Sequence, residues 1–220
     1  MSTGIDAAKG VPLQNTVPQS WLGLTSAPTT PPAWASIGNL TPAQIRNLQA
    51  QIAYTQSNWN YSLISNTNSL GRYQFTPQTL ENYGLLAAGS NAAYGTVCVN
   101  YVHCWRPVFV NTGQNAYTNY FYNISGLGQF LSNTVAQEHL AYQMLSDLYL
   151  GCYRSGSILA TDTADVVAGM VSVAWVLGIG TGPTVSSANG TGAYAWRYSN
   201  TGSGATAFNQ GRYAVLVLSQ

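Results

Sequence analysis

Proline sets the first limit on this chain. Six of its nine prolines fall before residue 43, in the run from Val11 to Pro42. Proline fixes φ and removes a backbone donor, so a stretch this rich in Pro, Thr and Ser reads as extended chain. The expected organisation is an extended Pro-rich arm over residues 1–40 and a folded domain over residues 41–220. Isolated Trp21, Leu22 and Trp34 leave two readings of the arm open. It is either a disordered leader or a strap that lays its aromatics into pockets on a neighbouring subunit.

From Thr41 the pattern becomes helical. Thr41 and Pro42 suit an N-cap and a first helical position, and Ile45, Leu48 and Ile52 then recur at helical spacing. Thr76-Pro77 opens a short helix that Gly84 can end. Thr134 and Gln137 form a capping-box pattern ahead of Leu140, Met144 and Leu148, with Gly151 as the stop. Asp162 or Thr163 starts a helix striped by Val166, Met170, Val173 and Leu177 and closed by Gly178. The Gly-, Ser- and Thr-rich stretch 178–204 reads as a long loop, and a last helix is expected over Phe208–Leu218. The class is mainly α.

Charge excludes more than it suggests. Charged residues make up 6% of the chain, seven basic against six acidic, for a net +1. A basic face able to read nucleic acid, or a polybasic membrane binder, is excluded on those numbers. With 15 Tyr and 6 Trp, charge-driven disorder is excluded too. So neutral a surface suits a chain seated in an assembly. The start of the sequence has no apolar signal core, and the apolar run Val166–Gly180 is too short to cross a bilayer. Cys98, Cys104 and Cys152 are an odd count. A Cys98–Cys104 loop disulfide and plain thiols stay open, while adjacent His103 and Cys104 are poorly placed to share a metal ion. No metal and no cofactor is expected.

Gln56 is where chemistry enters. At 100° per residue, Ile45, Leu48, Ile52 and Gln56 share an arc of about 80°, so an amide continues an apolar stripe at a helix end. Such a group needs a partner or a ligand. Three motifs surround it: IAYTQSNWNYS (residues 52–62), NSLGRYQF (68–75) and AGMVSVAWVLGIGTG (168–182). In order and context these resemble the lysozyme-like fold of soluble lytic transglycosylases, and most of all the tail- or baseplate-associated peptidoglycan hydrolases of tailed bacteriophages. The likeness covers residues 40–84 and 165–218, where FNQGRYAV also looks like the family's end; residues 85–133 lie outside it.

The resemblance implies a virion component, in the tail or baseplate, that acts on the glycan strands of the host cell wall. Its partners would be peptidoglycan and other tail subunits, the latter through the arm. Gln56 stands where the family has its catalytic Glu, and an amide cannot deliver a proton at useful acid strength. Either a deliberate near-isosteric change disables the enzyme, or the protein has lost catalysis and keeps the fold as a scaffold or glycan binder. Glu81 is a weak substitute acid and Glu138, beside His139, a weaker one; both read as solvated helix positions. By the same resemblance Ser57 bonds the catalytic side chain or substrate. Tyr73 and Gln74 hold the sugar, and Trp175, Trp196 and Tyr198 line the groove. With Glu at position 56 and no second carboxylate nearby, the implied reaction is transglycosylation to an anhydro-sugar.

Overall fold

The computed structural model describes residues 4–9, 35–87, 89–90, 105, 109–110, 121–122, 124, 126–184, 190–199 and 204–218. The described part is mainly helical. Its helices are α1 (Gly4–Lys9), α2 (Pro42–Ser57), α3 (Pro77–Asn82), α4 (Leu127–Ser132), α5 (Thr134–Ser155), α6 (Ala164–Leu177), α7 (Gly192–Ser199) and α8 (Gly204–Leu216). Two-residue strands, β1 (Phe109–Val110) and β2 (Phe121–Tyr122), pair antiparallel with Phe109 opposite Tyr122. The chain forms two compact units, one of residues Met1–Ile52 with Tyr142–Gln220, the other Ala53–Ala141. Among the described residues no helix is long and apolar enough to cross a membrane.

The first unit is built on α6, which is apolar on every side. All residues from Val166 to Ala174 are buried, and each fully buried Val or Met contributes about 1.5–3 kcal/mol. Helix α8 lies against it at backbone range. A Cβ on Gly211 would stand 2.5 Å from the Ala168 carbonyl oxygen and 2.5 Å from Ser172 Oγ. That approach is open only to glycine. Two ion pairs tie the ends of these helices. Arg197 on α7 grips Asp162 with both terminal nitrogens at 2.6 and 2.9 Å, and Arg212 on α8 reaches Asp165 at 3.0 Å.

Helix boundaries follow the local chemistry. Thr41 Oγ1 accepts from the Gln44 N–H at 3.3 Å while Gln44 Oε1 accepts from the Thr41 N–H at 2.9 Å, a reciprocal capping box. Thr76 caps α3 through the Thr79 N–H, and Gly84 turns the chain out at φ 78°. At α5 the capping box expected of Thr134 and Gln137 is not formed. Asn133 caps instead, its Oδ1 accepting from the Ala136 N–H at 2.9 Å, which frees Gln137 for other work. The helix also runs past Gly151 to Ser155, with Gly151 an interior position packed against the Ile179 side chain.

Two further expectations are corrected. The stretch 178–204 is not all loop: Gly192–Ser199 is α7, carrying buried Ala193, Ala195 and Trp196 on a helical face between Gly-rich flanks. The segment 1–40 is not uniformly extended. Residues 4–9 form α1 with Ile5 and Ala8 buried, and Ile37 and Leu40 close a tight turn. Residues 10–34, including Trp21, Leu22 and Trp34, lie outside the described residues, as do Cys98, His103 and Cys104. The remaining cysteine, Cys152, is a buried free thiol whose pKa burial pushes up to about 12.

Candidate functional site

In the second unit the end of α2 meets the GRYQF loop. Two consecutive left-handed residues, Asn58 at φ 51° and Trp59 at φ 63°, stop the helix, and their N–H groups reach back to the Tyr54 and Ala53 carbonyls. Asn tolerates this conformation, whereas for Trp it costs about 1–2 kcal/mol. The side chain of Ser57 then turns inward. Its Oγ donates to the Arg72 carbonyl at 2.6 Å, with the Ala53 carbonyl also in reach at 3.2 Å. One hydroxyl thereby fastens the loop to the helix end. Gln56 is on the same last turn, half-buried.

The loop is shaped by glycine and glutamine. Gly71 takes φ 72°, and a Cβ there would overlap the Gln137 side chain. Gln137 Oε1 accepts from the Arg72 N–H at 2.9 Å, while its Nε2 donates to the carbonyls of Tyr61, Phe130 and Leu131. Gln74, left-handed at φ 52°, folds its own amide back onto the carbonyls of Gly71 at 2.8 Å and Leu63 at 3.3 Å. Leu70 and Phe75 exchange backbone hydrogen bonds across the loop's base. Gln74 is therefore a brace of the loop in this structure.

Beneath the loop lies a carboxylate that the sequence reading set aside. Glu138 is 4% exposed, not a solvated helix position. Its Oε1 accepts from Tyr61 Oη at 2.7 Å and pairs with Arg72 Nε at 3.3 Å; its Oε2 accepts from Tyr73 Oη at 2.6 Å. The Arg72 guanidinium sits 4.8 Å from the centre of the Tyr61 ring. Burial, and then the Glu138 charge, raise both tyrosine hydroxyls well above the ordinary phenol range. They stay protonated and donate. Two tyrosine hydroxyls donate to its oxygens and the Arg72 guanidinium pairs with it, so Glu138 is the acceptor at the centre of a buried cluster.

The proposed sugar-contacting residues divide. Tyr73 is 1% exposed with its hydroxyl engaged by Glu138, so it supports the loop from below. Trp196 is wholly buried on α7, its ring 5.0 Å from that of Phe208, and presents no face for stacking. Tyr198 is exposed, its ring 4.7 Å from Tyr194 and its hydroxyl donating to the Gly156 carbonyl at 2.7 Å. Trp175 is half-buried on the last turn of α6. These last three belong to the first unit, whereas Gln56, Ser57, Tyr73 and Gln74 belong to the second. Glu81 accepts the Gly89 N–H at 2.8 Å and ties down the turn beyond α3.

His139, the next residue on α5, is 3% exposed, and burial lowers its pKa to about 4. The unfolded chain binds a proton at this position near pH 6.5, the folded chain only near 4. Stability is therefore full above pH 6.5 and falls as pH drops through that window, by up to about 1.4 kcal/mol per pH unit. Denaturant titrations at a series of pH values should show this slope, and His139→Phe should flatten it.

Arg72, Tyr61, Gln137 and Glu138 were not singled out as a group from the sequence. The available signal was scarcity. In a chain with so few charges, an Arg inside an aromatic-rich motif needs a carboxylate partner. Among the described residues no three His, Cys, Asp or Glu side chains gather as metal ligands. Compared with known proteins, the chain matches no family model, no curated protein and no solved structure.

Proposed function

We propose that this chain is a tail or baseplate component of a tailed bacteriophage, carrying a lysozyme-like domain of the lytic-transglycosylase type that engages the glycan strands of peptidoglycan at the host cell wall. With Gln at position 56 the domain grips the strand without turning it over. The observation that carries this reading is the Ser57–Arg72 bond of 2.6 Å, which joins the helix end bearing Gln56 to the GRYQF loop. Those are two of the three motifs on which the resemblance to peptidoglycan-cleaving domains rests.

A catalytically silent structural domain is the second reading. What favours it is the engagement of the available carboxylates: Glu138 is committed to Arg72 and two tyrosines, and Glu81 to a backbone N–H. Purified sacculi separate the two. The chain should pellet with sacculi in a saturable manner, and soluble oligomers of the wall disaccharide should compete. A chain that stays in the supernatant at every sacculus concentration would favour the silent domain and refute glycan engagement.

A further inference from the structure

Helix α1 has six residues, where an isolated helix in water needs about 12–15 to be even marginally stable. It exists because it is docked, and its contacts are with α7 and α8. The seat is specific. The backbone of Gly4 lies on the indole of Trp196, where a Cβ would overlap the Trp196 carbonyl oxygen. Ile5 and Ala8 are 8% and 0% exposed. The Ala8 carbonyl, one of the orphan acceptors at a helix end, receives Asn209 Nδ2 at 3.0 Å in a buried bond.

The floor of the seat is as closely made. Trp196 is wholly buried, a Cβ on Gly204 would stand 2.6 Å from its Cδ1, and Phe208 packs beside it. With α1 gone, Trp196 and the Asn209 amide would lose their cover. Nothing in these contacts requires that α1 and its seat belong to one chain. Residues 10–34 separate α1 from the next described residue, and a stretch of that length spans at most about 80–90 Å.

We propose that α1 is an exchangeable docking element, which occupies either its own seat or the same seat on a second copy of this chain. The contacts are identical in the two arrangements, so the choice falls to effective concentration. Covalent linkage gives the intramolecular arrangement an effective concentration of order mM. Copies held close together, or concentrated beyond that level, exchange helices and become linked. The near-neutral charge of +1 places little electrostatic repulsion between them. This inference does not depend on the glycan reading.

A fluorescein-labelled peptide of residues 1–10 probes the seat directly. It should bind a chain lacking residues 1–10 saturably in fluorescence anisotropy, and bind the full chain at least about tenfold more weakly, because there the seat is filled. Should the truncated chain fail to fold, the full chain with Gly4→Leu serves as acceptor, since its own helix no longer fits over Trp196. The same substitution in the peptide should abolish binding. Light scattering then reads exchange: the full chain should exceed the mass of one copy near 1 mM, and the Gly4→Leu chain should not. A peptide that binds neither acceptor, a full chain that remains a single copy at that concentration, or oligomers indifferent to Gly4→Leu would each overturn the proposal.

Discussion

Gln56→Glu is expected to give the chain measurable cleavage of purified cell wall, against little or none for the chain as it stands. The substitution changes one NH2 for OH on the last turn of α2, in a half-buried position next to the inward-facing Ser57. A carboxyl there is partly withdrawn from water, which raises its pKa and suits it to protonate a glycosidic oxygen. General acid catalysis is typically worth about 10²–10⁴-fold, an increment that loss of turbidity in a sacculus suspension reads easily. The products should be anhydro-muropeptides. Glu138 is buried and engaged by Tyr61, Tyr73 and Arg72, which sets it to brace the loop and not to activate a water molecule. Reducing-end sugars would mean that some carboxylate does so, and hydrolysis would replace transglycosylation. Strong cleavage with Gln56 in place would move the acid role elsewhere, to Glu81 first.

Glu138→Ala should be the most destabilising single change in the second unit. It strands the Arg72 guanidinium, whose side chain is 2% exposed, and leaves two tyrosine hydroxyls without their acceptor. Breaking a buried pair from one side costs about 3–5 kcal/mol, a large part of the net stability of most domains. The same logic makes the damage partly reversible. Removing the charge on the other side as well, in the double variant Glu138→Ala/Arg72→Met, should recover a good part of the loss. Denaturant midpoints for the two single variants and the double complete a cycle, and losses that simply add would show that the pair is not coupled.

Much of the helical plan was open to sequence reasoning because its signals are local. Thr41-Pro42, Thr76-Pro77 and the apolar run ended by Gly178 each announce a boundary within a few residues, and the structure has helices there. What escaped was decided at a distance. Gly151 looks like a stop, but Ile179 from another segment makes glycine a packing residue inside the helix. Gln137 looks like half of a capping box, yet the loop around Arg72 claims its side chain and Asn133 does the capping. The buried polar residues Asn47, Gln49 and Gln51 interrupt the stripe pattern of α2 without exposing it. For the candidate site, the sequence names the helix end and the loop. It does not name Glu138 as their foundation, because neighbouring residues on α5 say nothing about an arginine 66 positions earlier in the chain.

Among the described residues three arginine–carboxylate pairs engage three of the chain's six acidic residues, and each joins side chains no more than 15% exposed. Much of the charge on the described residues is thus engaged in buried or half-buried pairs. With charge on only 6% of its residues and a net +1, the chain projects little field beyond a few ångströms. A partner approaching through salt water is neither steered nor repelled, so encounter proceeds at the unassisted rate of about 10⁵–10⁶ M⁻¹s⁻¹ whatever the ionic strength. Recognition then rests on fit at contact. A surface of that kind behaves alike in dilute buffer, in brine and beside the polyanions of a bacterial envelope.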